Sequence, residues 1–130
     1  MCSEFAVLRM LMSDDAVKRC VYVAPHEATA KERFVEWSYK FGKMLGFKVA
    51  ELVGETTSDV KILEESNVVI TTPDKWDLMS RRWKTRKRVQ EVRLFVVDEL
   101  HLLDSDIGPT LEAVVSRMRY ISVQVPMAFH

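Results

Sequence analysis

Three short runs in this sequence are apolar almost throughout: Cys20–Ala24 (CVYVA), Val68–Thr72 (VVITT) and Leu94–Val97 (LFVV). A strand with one wet face alternates apolar and polar residues. A strand without that alternation is covered on both faces, as in a parallel sheet flanked by helices. A fourth run, Lys48–Val53 (KVAELV), is more mixed. Helical patterns fill the intervals. Ser3–Met12 places Phe5, Leu8 and Met12 on one face, and from Ala28 onward Ala30, Phe34, Trp37, Phe41 and Leu45 recur in steps of three and four. Gly42 and Gly46 then interrupt the pattern. Ser58 reads as the N-cap of a short helix reaching Leu63. Pro73 and Pro109 stand where the first turn of a helix tolerates proline, and the second of these helices carries Leu111, Val114, Val115 and Met118. Helix and strand therefore alternate along the chain. The expected fold class is α/β, one domain built on a parallel sheet with helices on both faces.

The bulk properties exclude several classes. At 130 residues and 48% hydrophobic content the chain can bury one core. Its formal net charge is zero, so any attraction to nucleic acid must come from a local basic surface. Two cysteines and three histidines show neither a disulfide framework nor zinc-ligand spacing. No apolar run reaches membrane-spanning length, and the N-terminus lacks a basic stretch followed by an apolar one.

In open parallel sheets the chemistry gathers just beyond the carboxyl ends of the strands. The run Leu94–Val97 ends directly on Asp98 and Glu99, with His101 two positions on. Val68–Thr72 is followed by Pro73-Asp74-Lys75-Trp76, and Cys20–Ala24 by Pro25-His26-Glu27-Ala28. Adjacent acids at a strand end can divide two tasks. One holds magnesium through water, since that ion takes oxygen ligands and keeps part of its hydration shell. The other polarises a water against phosphorus. A solvated loop after a buried strand would show the same two letters, so the companion segments decide.

Those companions resemble the DExH-box helicases of superfamily two. FVVDELH resembles their motif II, YVAPHEATAKER their motif Ia, VVITTPDKWD their motif Ib, and VAELVGETTSDVKIL the segment between the last two. Order and spacing agree over nearly the whole chain. The stretches around Ser80–Leu103 and Ser116–Ser122 look most like the large tandem-cassette spliceosomal helicases, second cassette. The resemblance implies a RecA-like (P-loop NTPase) lobe and an intact enzyme that couples ATP hydrolysis to RNA unwinding in pre-mRNA splicing. It implies ATP and Mg²⁺ as cofactors, small nuclear RNA duplexes and spliceosomal proteins as partners, no membrane, and a nuclear location. By the same resemblance Asp98 holds Mg²⁺ through water, Glu99 is the general base, and His101 couples the nucleotide site to the second lobe. Pro25, Ala28, Thr72 and Pro73 line the RNA backbone track.

Half of that machinery is missing from these residues. None of the four glycines begins the G-x-x-x-x-G-K-[ST] loop that cradles phosphates, and the Ser-Ala-Thr motif III is absent. The expectation is a partial first RecA-like domain, residues 1–130, truncated at both ends and lacking the phosphate-loop strand. Such a chain should hold no nucleotide by itself. The alternative is a catalytically dead relic that binds protein or RNA. Arg81–Arg88 (RRWKTRKR) has six basic residues in eight and reads either as an RNA contact or as a solvated helix end. With the motif III strand missing, Leu94–Val97 should be a bare edge, which would favour self-association.

Overall fold

A computed structural model describes residues 2–12, 19–24, 26–81, 89, 92–97, 109–124 and 128–129. The described elements run α1 (Cys2–Leu11), β1 (Cys20–Val23), α2 (Glu27–Trp37), β2 (Val49–Glu51), α3 (Thr56–Glu65), β3 (Val68–Thr71), α4 (Pro73–Ser80), β4 (Leu94–Val97), α5 (Pro109–Gln124) and β5 (Ala128–Phe129). The five strands form one sheet in the order β2-β3-β1-β4-β5, and every pairing is parallel.

The expected four strands are present, each within the run that announced it. Alternation along β1 divides the interior in two, because successive side chains of a strand point to opposite faces. Val21 and Val23 face a cluster with Leu63, Trp76, Val114, Met118 and Ile121, drawn from α3, α4 and α5. Cys20, Tyr22 and Ala24 face the opposite cluster with Val7, Leu11, Trp37 and Phe41, from α1, α2 and its continuation. Both faces are thus covered by helices. Burial leaves the Cys20 thiol strongly raised in pKa and therefore protonated and unreactive.

The second cluster is aromatic. Trp37 is fully buried and meets Tyr22 edge-on at 4.8 Å and Phe41 at 5.4 Å between ring centroids. The Arg33 guanidinium carbon lies 5.6 Å from the Tyr22 ring and 5.7 Å from the Trp37 ring, within cation–π range. Trp37 and Phe41 are core, and Phe34 packs against them half-buried, as their spacing implied. Leu45 is not part of this face; it is 41% exposed. A π-helical turn over Ser38–Lys43 follows α2, and each such turn takes an extra residue. Leu45 falls beyond the C-cap of that turn, Met44, and so leaves the buried stripe.

Three further expectations need correction. Among the described side chains of α1 the buried ones are Val7, Met10 and Leu11, while Leu8 is half-buried, Met12 is 62% exposed, and the Phe5 side chain lies outside those described. Nearly every position from Phe5 to Met12 is apolar, so the spacing admitted more than one stripe. Helix α3 starts at Thr56, with Glu55 rather than Ser58 at its N-cap. Finally, β4 is not an edge. Ala128 and Phe129 pair in parallel with Leu94 and Phe95. A parallel neighbour needs a crossover of a dozen or more residues, and the 16-residue α5 lies between the two strands. The outer strands are the two-residue β5 and the three-residue β2, and short edges are poor templates for pairing. The argument for self-association through β4 therefore fails.

Helices α4 and α5 are tied by a charged knot. Arg117 Nη1 donates to Asp77 Oδ1 and to Ser80 Oγ, both at 2.9 Å, and Arg81 Nη2 lies 2.7 Å from Asp77 Oδ2. Burial works to raise the pKa of Asp77. The hydrogen bonds and charges of Arg117 and Arg81 outweigh it and hold the carboxyl below the ordinary aspartate value. A carboxyl depressed on folding contributes stability above its unfolded pKa, and that contribution is lost as pH falls through the folded value. Asp77→Asn is expected to cost about 1.5–3 kcal/mol near neutrality, the range for hydrogen bonds to charged groups. The gap between variant and wild type should close as acid protonates Asp77. Thermal melts of both proteins from pH 7 down to pH 2 measure it. A pH-independent gap would rule out the charge as its source.

Candidate functional site

Register sets where the strands end. Val23 pairs with Thr71 on one side and with Val97 on the other, and the Ala24 amide donates to the Thr71 carbonyl at 2.8 Å. The carboxyl ends of β3, β1 and β4 therefore lie abreast on one rim. The chain leaves β4 toward Asp98, but Asp98, Glu99 and His101 lie outside the described residues, as do Pro25 and Arg82–Arg88.

Two of the helices that follow these strands begin on the rim. Helix α2 starts after β1 with His26 at its N-cap, in extended conformation, and Ala28 is exposed in its first turn. Helix α4 starts after β3. Thr72 is its N-cap and is buried, and Pro73 fills the first helical position, where a missing N–H costs nothing. Neither cap side chain bonds its helix, so the first backbone N–H groups have no partner from the cap. Of the four residues assigned to the RNA track, the structure thus brings Ala28, Thr72 and Pro73 to one rim, just beyond the ends of the neighbouring strands β1 and β3.

The third strand end is held differently. Beyond β2 the chain turns at Gly54, whose φ of +95° suits glycine. The buried Asp59 carboxylate fixes this turn by accepting the Val53 amide at 2.8 Å and the Gly54 amide at 3.0 Å. A methyl group at Gly54 would lie 3.7 Å from Lys75 Cγ and 3.8 Å from its Cε, so the Lys75 stem runs along this turn. Its ammonium donates to both oxygens of Glu27, at 2.8 and 3.0 Å. Lys75 sits in the first turn of α4 and Glu27 in the first turn of α2. The pair joins two segments that are 48 residues apart, with the third strand end packed beside it. Asp59, Gly54, Lys75 and Glu27 went unassigned from the sequence. Nothing local marks a bond across that separation.

Among the described residues no group of three or more His, Cys, Asp or Glu gathers to hold a metal. Asp98, the residue expected to hold magnesium through water, is an oxygen donor of the kind that ion takes and lies outside the described residues; none of the four glycines in the sequence opens a phosphate-binding loop.

Residues 1–129 match the family described as DEAD/DEAH box helicase. This chain belongs to the DEAD/DEAH box helicase family. Its helicase relatives include the DExH-box ATP-dependent RNA helicase DExH12 of Arabidopsis thaliana, 59% identical over 125 residues, which is 95% of this chain and 6% of that protein. The U5 small nuclear ribonucleoprotein 200 kDa helicase of Homo sapiens is 52% identical over 124 residues, again 95% of this chain and 6% of the relative. The chain therefore spans only a small part of these helicases. In fold it is similar to the crystal structure of the DUF1998 helicase MrfA, with a TM-score of 0.74 over 98% of this chain and 21% of that one; at 21% identity the likeness concerns architecture alone. The α/β sheet with helices on both faces is accordingly a helicase RecA-like architecture.

Proposed function

We propose that this chain is the magnesium-and-water half of the first RecA-like lobe of an ATP-dependent DExH-box RNA helicase of the spliceosomal type, second cassette. The domain is partial as given. The complete enzyme would work in the nucleus with spliceosomal proteins, unwinding small nuclear RNA duplexes at the expense of ATP. The observation that carries this reading is the shared rim. Ala28, Thr72 and Pro73 stand abreast at two helix starts, beside the strand that runs into Asp98. Backbone N–H groups at helix starts suit phosphate oxygens, and such contacts position a nucleic acid without reading its bases. Pro25 would extend the same track.

At the other half of the rim, Mg²⁺–ATP would supply the reactive phosphate and its charge neutralisation. Asp98 would orient water around the ion, Glu99 would take the proton of the attacking water, and His101 would link this site to the next motif. Arg81–Arg88 would add a general attraction for RNA.

Fluorescence anisotropy of the chain with labelled single-stranded RNA, over a series of salt concentrations, tests the reading. Expected is weak binding, indifferent to base sequence. Its log–log salt slope should be about −0.7 per phosphate contacted. Tight binding that ignores salt, or no binding at low salt, would overturn the RNA-track assignment.

A further inference from the structure

The rim that would receive RNA phosphates already contains an anion of its own. Glu27 is half exposed in the first turn of α2, one residue before Ala28. Its carboxylate accepts both hydrogen bonds that the Lys75 ammonium makes among the described residues. Lys75 is the less exposed partner, at 19% of its side chain against 51% for Glu27. The stem of Lys75 is braced along Gly54, and the Gly54 turn is pinned by Asp59. The lysine is therefore the built, fixed member of the pair and the glutamate the accessible one. An ordinary surface pair between flexible side chains lacks this asymmetry. The Lys40–Glu36 pair, with both side chains more than two-fifths exposed on α2 and its continuation, is the local example.

We propose that Glu27 is an internal stand-in for a nucleic-acid phosphate, holding the Lys75 ammonium between the α2 and α4 starts until an RNA backbone displaces it. The proposal rests on the RNA-track reading and deepens it. A carboxylate and a phosphate each present two oxygens to an ammonium, so the exchange replaces one charge-assisted contact by another. The displaced Glu27 turns to solvent, which its exposure allows. Lys75 is then a positioning residue for the backbone, and Glu27 sets a threshold that weakens binding of any phosphate unable to make additional contacts on the rim.

The two partners predict opposite signs. Glu27→Gln frees the ammonium and removes the competing charge. It should tighten binding of a fluorescein-labelled 12-nucleotide oligouridylate about three- to fivefold at low salt, the scale of one exposed ion pair. The log–log salt slope should stay near the wild-type value, because Lys75 meets the same phosphate in both proteins. Lys75→Ala leaves the carboxylate unopposed and should weaken binding by a similar factor. Glu36→Gln, which makes the same charge change elsewhere on α2, should leave affinity unchanged. A merely structural tie between α2 and α4 would instead make both Glu27→Gln and Lys75→Ala weaken binding, in step with a lowered melting temperature. That result overturns the proposal. So does a tightening by Glu36→Gln equal to that by Glu27→Gln, because net charge alone would then explain it. If wild type binds with the expected salt slope and neither Glu27→Gln nor Lys75→Ala alters affinity, the stand-in role fails while the RNA track survives. If no variant binds RNA at low salt, both fall together.

Discussion

Trp37→Ala is expected to remove about 3–5 kcal/mol of stability, the range for deleting a large buried aromatic side chain. Trp37 is fully buried, fills the space between Tyr22 and Phe41, and carries the Arg33 guanidinium against its ring. Three partners lose their contact at once. A domain of this size has a total stability on the order of 5–15 kcal/mol, so the variant should sit near its unfolding threshold. Urea denaturation measures the effect. A slope of about 2 kcal/mol per molar converts the loss into a midpoint lowered by about 2 M. Tyr39→Ala, at a ring 57% exposed, should move the midpoint little. Equal shifts in the two variants would mean that the aromatic cluster does not hold α2 in place.

Glu99→Gln is the second large effect, read in a helicase cassette that joins this segment to a phosphate loop and second lobe and that is itself an active ATPase. The amide keeps the size of the carboxyl and cannot accept the water proton. Turnover should fall by about 10²–10⁴-fold, the usual contribution of a general base, with nucleotide affinity nearly unchanged. Asp98→Ala should instead weaken magnesium-dependent nucleotide binding. A steady-state ATPase assay alongside a fluorescent-nucleotide titration separates the two. Equal loss of binding in both variants would contradict the division of roles between these neighbouring acids.

The sequence made the interior of the fold legible because burial on both faces leaves a continuous apolar signature. Leu94–Val97 matches its strand residue for residue, and Val68–Thr72 exceeds its strand by one. Pro73 marked the start of α4 because proline fits the first helical position better than any later one. What the pattern could not show is two-residue order. Ala128–Phe129 is too short to display any period, so the strand that covers β4 was invisible. The π-turn at Ser38–Lys43 escaped for a related reason: a regular helical step was assumed where one residue is added.

The site divides in the same way. Ala28, Thr72 and Pro73 were reached through the motif segments, and their common rim follows from parallel register. Lys75, Glu27 and Asp59 were not. Each depends on a side chain meeting a partner from another segment, and one-dimensional spacing is silent about that. Gly54 lay within the segment between the two motifs, but its close approach to the Lys75 stem needed coordinates.

The alternation along β1 has a consequence for where this architecture tolerates change. Each of its four residues is fully enclosed and assigned to one of two separate interiors. Inserting or deleting a single residue there would send Tyr22 into the space shaped for valines and the valines among the aromatic rings, because a one-residue slip reverses every side chain. The connections leaving the carboxyl rim face no such rule. Evolution can lengthen, shorten or retune those connections, and with them the ligand chemistry, while the central strand keeps a fixed length. The sheet acts as a ruler, and the parts that meet the substrate are the parts it leaves unmeasured.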